Sequence, residues 1–381
     1  MGKHLVLVGG GHAHLTSLKN LPTFRKRGHQ VTLISPYPYH YYSGMGPGML
    51  SGIYGPQEVR FHVKRMAEGQ GAAFIRDKVI KVDPERRILL LSSGEKVTYD
   101  RVSFNTGSEV PIESLTRTPR DNIVTVKPVI NLYRARHAIL NALSENKTLS
   151  LAVIGGGPAG VEISANLWRL LHVNKTKGEI ALIGGRRLMG EAPEKVRHLA
   201  LESLIRKGVR VIEGTHVKTI EDRIIRMSDG REVGFDMTFV ATGIRPSSFF
   251  RESNLPSSAD GGLLVNSYLQ STAYPDIFGG GDCISLEGHP LAKVGVHAVR
   301  ENPVLYHNLL AALEGGKMMA FRPREHFLLI FNMGDGQGIF WKKNWIWENR
   351  LAFLLKDYID RRFMRKFQIS GELDEKSESA E

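Results

Sequence analysis

Two glycine turns of the same build, 146 residues apart, constrain this chain more than any other feature. Leu5 to Val8 is a short apolar run ending in Gly9-Gly10-Gly11, and Val31 to Ile34 is a second run after a helical-length gap. The same order returns at Leu151 to Ile154, Gly155-Gly156-Gly157 and Ile180 to Ile183. Strand, tight turn, helix, strand is the βαβ unit of dinucleotide-binding folds, so the reading is α/β with two such units. The duplication runs on. SSGEKVTYDRVSFNTG from Ser92 aligns with SDGREVGFDMTFVATG from Ser228, placing Asp100 on Asp236 and Thr106-Gly107 on Thr242-Gly243. Each copy reads as a hairpin turn and then a strand that ends in Thr-Gly at a domain edge.

With 381 residues the chain exceeds the size of most single cores, and two or three domains are expected. The second unit is read as an insertion. One discontinuous domain then covers 1–112 and 245–320, the inserted domain covers 113–244, and a C-terminal segment covers 321–381.

Gly155, Gly157 and Gly160 make a complete GxGxxG, opening a helix with Pro158 and Ala159. The spacing gives a tight turn, room for a pyrophosphate, close helix-to-strand packing and a helix N-terminus beneath the phosphates. In the first unit Gly9 and Gly11 are followed by Ala13 and then by His14 in the third glycine position, which should loosen that packing. His12 and His14 read equally as ordinary surface imidazoles or as catalytic groups. The acid that binds ribose hydroxyls, about 20 residues on, is missing from both units. Ser35 stands there in the first. Gly184-Gly185-Arg186-Arg187 follows the strand in the second. Two guanidinium forks suit a 2′-phosphate, with two solvated arginines as the alternative. At Gly279-Gly280-Gly281-Asp282 a further strand ends in a glycine turn bearing an acid, before a helix beginning near Lys293 and Val294. That N-terminus and the Lys293 charge would favour a ring that becomes anionic on reduction.

The net charge is +12, and the tail from Ser370 holds five acids against one lysine, so the other residues carry +16. Such a surface suits an anionic membrane, an acidic partner or phosphorylated ligands; without a nucleic-acid motif, no nucleic acid is expected. No metal is expected either. Cys283 is the single cysteine, and the chain enters an apolar strand at once, so a cytoplasmic protein without disulfides is the expectation. No apolar run reaches the roughly 18 residues that span a bilayer. Between Trp345 and Phe367 apolar residues recur three or four apart, with Arg350, Lys356, Arg361, Arg362, Arg365 and Lys366 among them. The pattern predicts a basic amphipathic helix that faces a membrane, or alternatively packs on the body or on a second copy as a homodimer. The acidic stretch 370–381 is expected to be a disordered tail.

These stretches together resemble the pyridine nucleotide-disulfide oxidoreductase superfamily over nearly the whole chain. Within it they look like the type II NADH dehydrogenase branch, and in particular the NADH-dehydrogenase-like proteins sometimes fused to selenide, water dikinase. GGGHAHL at Gly9, YYSGMGPGMLSGIY at Tyr41, GGGPAGVEISANL at Gly155, ATG at Ala241, GGGDC at Gly279, KVGVHAVRENPVL at Lys293 and LKDYIDRRFMRKF at Leu355 carry the likeness. It implies FAD in the 1–112/245–320 domain, with Gly9, Gly11 and Ala13 at the pyrophosphate, Asp282 on the ribityl and phosphate portion, and Gly46 and Pro47 against the isoalloxazine. His14, Ser35, Thr106, Gly107, Lys293 and Val294 complete that candidate site. NAD(P)H would lie on Gly155, Gly157, Ala159, Gly160 and Gly243, with Arg186 and Arg187 at its ribose. Glu162 would stand near nicotinamide and flavin, and Glu162 and Lys293 are the catalytic candidates. Where disulfide reductases carry a cysteine pair, this chain has Ser43-Gly44-Met45-Gly46-Pro47, so hydride would pass from nicotinamide to flavin and electrons on to a small acceptor, with a quinone as the expectation. A reductase for a protein carrier and a flavin-based redox sensor are the alternatives.

Overall fold

The computed structural model describes residues 2–116, 120–145, 147–324 and 326–375. Each glycine turn sits at the end of the central strand of a five-stranded parallel sheet. The first sheet runs in the order Ile277–Gly279, Arg101–Phe104, His4–Val8, Gln30–Ile34, Ala73–Ile75. The second repeats it as Ile123–Thr125, Met237–Val240, Leu149–Ile154, Gly178–Ile183, Arg210–Ile212. Parallel strands are covered on both faces, and Leu5, Val6, Leu7, Ala152, Val153 and Leu182 are accordingly buried. A three-stranded antiparallel meander precedes the return strand in both units, Val79–Asp83 to Lys96–Thr98 in the first and Val217–Glu221 to Glu232–Gly234 in the second.

The matched aspartates explain their own repetition. Asp100 accepts a hydrogen bond from the backbone N–H of His4 at 2.6 Å, and Asp236 accepts one from Ser150 at 2.8 Å. In each unit the carboxylate before the return strand therefore pins the start of the central strand. Where the chain crosses between units, Glu109 and Arg245 pair as an antiparallel bridge with both backbone bonds made, at 2.8 and 2.9 Å.

After the helix Gly295–Glu314 the chain forms an antiparallel sheet, Leu329–Asn332, Gly338–Lys342 and Trp345–Asn349, and then the helix Arg350–Phe367. The helix expected from Trp345 thus starts five residues later. Trp345 and Trp347 lie on a strand, with Trp347 stacked on Phe340 at 4.7 Å. Asn349 ends that strand and caps the helix, its side chain accepting from the N–H of Ala352 at 3.0 Å. The helix buries Ala352, Met364 and Phe367 against the body but leaves a second apolar face outside. Lys356 and Asp360 are buried on its inner face, whereas Leu351, Leu354 and Tyr358 are 66%, 57% and 55% exposed. Leu355 and Ile359 join them outside, and Arg362, Arg365 and Lys366 continue the outer face toward the C-terminus. Among the described residues no helix is long and apolar enough to cross a membrane.

The expected disordered tail does not begin at 370. Glu372 is buried, accepting from the backbone N–H groups of His62 and Ser370 at 3.0 Å, and Glu375 pairs with Arg60 and Arg65. The basic body supplies partners to acids that a charge count treats as solvated. Residues 376–381 lie outside the described residues.

Candidate active site at the two glycine turns

In the first unit Gly9 adopts φ +88°, donates its N–H to Ile34 at 2.8 Å, and faces the Asn105 carbonyl so closely that a Cβ would strike it. A Cβ on Gly11 would meet the Asn105 side chain at 2.6 Å, and one on Gly280 would meet the Cβ of Ala13 at 2.7 Å. Gly281, at φ +75°, closes on the same Asn105. Asn105 thus stands between the two turns, and its buried Nδ2 has no hydrogen-bond partner. An unpaired buried donor between two glycine turns fits a phosphate-bearing dinucleotide. Asp282 receives Ser108 Oγ at 3.0 Å and the Lys127 ammonium, both on Oδ2. The helix from Gly295, one residue after Val294, starts beside Ser43: a Cβ on Gly295 would lie 3.5 Å from Ser43 Oγ. Its N-terminus therefore meets the segment that leads to the buried Gly46 and Pro47. Beyond Gly107, at φ +72°, the space is open, and Thr106 is exposed.

Three expectations change here. His14 does not loosen the helix, because it is fully buried and stitches the unit together: Nδ1–H donates to the Gly9 carbonyl at 2.6 Å and Nε2 accepts from Ser103 Oγ at 2.8 Å. Burial lowers its pKa to about 4, so the neutral tautomer these bonds need is the one present. With both nitrogens engaged by protein, it has none left for a cofactor. Ser35 donates to the carbonyl of Tyr37 at 2.9 Å, within its own loop. Lys293 is tied to the Ile284 carbonyl, to Ser285 Oγ at 3.1 Å and to Asp260 at 3.1 Å, so its ammonium is engaged by protein.

In the second unit the glycines divide by function. A Cβ on Gly155 would lie 2.5 Å from the Ala241 carbonyl, and one on Gly160 would strike the Gly155 carbonyl, so packing demands both. Around Gly157 and Gly243 nothing lies within 4 Å of an added Cβ. Protein contacts do not require glycine there, which fits a ligand lying close to the backbone at the N-terminus of the helix Pro158–Val173, beside the exposed Ala159. Arg187 is ion-paired with Glu194, whereas Arg186 is exposed and makes no such bond.

Glu162, on that helix, reaches across to the C-terminal sheet, where its Oε1 accepts from the N–H of Asn332 at 2.7 Å. Burial raises its pKa to about 7, against the pull of the Lys356 charge and the Asn332 bond. Lys356 donates to the Gly44 carbonyl at 2.6 Å and to Asp360 at 2.6 Å, and Asp360 receives the Tyr42 hydroxyl at 3.0 Å. The seam thus joins the second unit, the Tyr42–Pro47 segment and the C-terminal helix through two carboxyls, one ammonium and one phenol hydroxyl. The ammonium facing Glu162 is that of Lys356. Sequence reasoning missed Asn105, Lys356, Asp360, Tyr42 and Asn332. The only available signal was a Lys–Asp pair four apart breaking the apolar stripe of the last helix.

Cys283 is fully buried, its thiol directed at the carbonyls of Phe104 and Gly280 at 3.4 Å, and burial pushes its pKa up.

A family model, the pyridine nucleotide-disulphide oxidoreductases, matches residues 3–308. Ferroptosis suppressor protein 1 of Taeniopygia guttata is 29% identical over 283 residues, covering 70% of this chain and 71% of that protein. An internal alternative NAD(P)H-ubiquinone oxidoreductase of Arabidopsis thaliana mitochondria is 26% identical over 208 residues, 49% of this chain and 40% of that one. NDH2 of Plasmodium falciparum, solved in complex with NADH, superposes with a TM-score of 0.82 at 14% identity, covering 97% of this chain and 98% of its own.

Proposed function

Because the chain belongs to the pyridine nucleotide-disulphide oxidoreductase family, we propose that it is an FAD-dependent NAD(P)H dehydrogenase that delivers electrons to a quinone-type acceptor without a dithiol. Gly9, Gly11, Ala13, Asn105, Gly281 and Asp282 would hold FAD; Gly155, Gly157 and Gly160 would hold the nicotinamide nucleotide. FAD supplies the two-electron chemistry between nucleotide and acceptor. Glu162 holds or releases a proton near neutrality in the seam between the units, and Lys356 fixes both the Gly44 carbonyl and the charge beside that carboxyl. With Cys283 alone and buried, no thiol relay takes part.

The observation that carries the quinone reading is the exposed apolar face of the helix Arg350–Phe367. Each large apolar side chain left in water forgoes about 1.5–3 kcal/mol of burial, which an apolar partner surface restores. The exposed leucines, Tyr358 and Trp345, 74% exposed on the preceding strand, make such a face, and basic residues flank it. The arrangement suits reversible attachment to an anionic membrane, at the inner face of the cytoplasmic membrane, with about 1 kcal/mol per cation near the surface. The relative named as an NAD(P)H-ubiquinone oxidoreductase supports the same acceptor. Truncating the helix would remove Lys356 and Asp360 from the site, so the test uses its outer face. Leu351→Gln, Leu354→Gln and Tyr358→Gln together should abolish liposome flotation and lower activity with long-tailed quinones more than with short soluble ones. Unchanged flotation would put a reductase for an acidic protein carrier ahead.

A further inference from the structure

His12 directly follows Gly11 and is only 8% exposed, yet its Nε2 has no hydrogen-bond partner. Its Nδ1 lies 3.2 Å from Nε2 of His40. The His12 ring meets His40 edge-on at 4.6 Å, Tyr42 at 5.2 Å and, stacked, Phe363 at 6.0 Å. None of these belongs to the two glycine turns that frame the dinucleotide. Tyr42 opens the segment leading to Gly46 and Pro47, and Phe363 comes from the helix whose outer face is apolar. A buried imidazole nitrogen left unpaired costs about 1–3 kcal/mol, which a ligand accepting or donating there would offset.

Burial lowers the pKa of both rings, to about 4 for His12; Lys127 is the charged side chain facing both, and its charge acts in the same direction. Both are therefore neutral at pH 7 and each carries one proton. When His40 Nε2–H donates to His12 Nδ1, the His12 proton must sit on Nε2, facing out of the pair.

We propose that His12 Nε2–H donates to a carbonyl oxygen of the acceptor and delivers to it the proton that its reduction draws from solvent, with His40 as the positioning group that reloads it. The proposal rests on the quinone reading above. NAD(P)H, one proton and a quinone give NAD(P)⁺ and a hydroquinone, so the nucleotide provides both electrons and one hydrogen, and water provides the other proton. The Nε2–H bond of His12 breaks as the acceptor O–H bond forms. The proton on His40 Nε2 moves to His12 Nδ1, and a solvent proton enters at Nδ1 of His40, a residue of intermediate burial. Both rings end neutral, and tautomeric exchange with solvent resets them.

The test separates the two halves of turnover in His12→Phe, which keeps a ring in the cluster, after flavin content and circular dichroism are matched to the parent. Stopped-flow absorbance would follow flavin bleaching by NADPH, then its recovery with a short quinone and with ferricyanide, which takes electrons without a proton. The quinone-to-ferricyanide ratio of recovery rates should fall about a hundredfold, the scale of general acid catalysis. Solvent deuterium should slow quinone recovery in the parent protein only. Independently of any variant, ¹⁵N-histidine NMR of the parent should show His12 protonated on Nε2, shifting when a non-reducible quinone analogue is added. Equal slowing of bleaching and recovery would mean that His12 serves the flavin and would overturn the proposal, as would an Nδ1-protonated His12. A parent protein that no quinone reoxidises, but ferricyanide does, brings down the acceptor reading and this proposal with it.

Discussion

Glu301 sits on the helix Gly295–Glu314 with its carboxylate buried and bonded to the N–H of Gly281, at the turn proposed to hold FAD. Burial, aided by the Asp282 charge, raises its pKa to about 7. The folded protein therefore keeps a proton that the unfolded chain loses near pH 4.5, and this contribution to stability disappears as pH rises from about 4.5 through 7. Glu162 acts in the same direction. Glu301→Gln keeps an acceptor for Gly281 and removes the charge, so its thermal midpoint should exceed the parent's at pH 8, by roughly 2 °C or more, and match it at pH 5. Calorimetry across that range checks the sign. The two arginines after Gly185, indistinguishable as letters, differ in their bonds. Arg187→Ala releases Glu194 and should change the NADPH-to-NADH ratio of kcat/KM little, whereas Arg186→Ala should lower it about tenfold, ~1.4 kcal/mol. Equal effects would leave both as solvated charges. Cys283→Ser should keep turnover within about threefold, and a loss beyond a hundredfold, about 2.7 kcal/mol of barrier, would give the thiol a part in the chemistry.

At the scale of elements, the strands and glycine turns were legible because buried parallel strands are written as unbroken apolar runs and the turns between them admit few residues. The C-terminal segment was legible only in part. Trp345 and Trp347 alternate as a strand does, and Asn349 is a helix cap, yet their neighbours also fit a helical period, and the period was extended across the cap. Asn349→Ala should cost about 1 kcal/mol and speed amide exchange in the first turn of the last helix, read by hydrogen-exchange mass spectrometry. Lys356 and Asp360 look in sequence like a surface pair four apart. Their burial depends on what the helix packs against, and no local pattern records that.

For the molecule as a whole, the repeat of Asp100 in Asp236 announced two copies of one sheet, because each carboxylate does the same backbone work. What stayed hidden lies between the copies: Asn105 beneath two turns, Glu162 against Asn332, and the acids at 372 and 375 folded onto a basic surface. These contacts join residues far apart in sequence, and residue type alone does not pair them. A flavoenzyme with no second redox centre takes up one pair of electrons per chain, and an anaerobic titration counts them. Purified protein carrying one FAD per chain should be fully bleached by one equivalent of NADPH or NADH and restored by one equivalent of a soluble quinone. Protein that binds no flavin, or that takes up a second equivalent of nucleotide before bleaching is complete, would contradict the account.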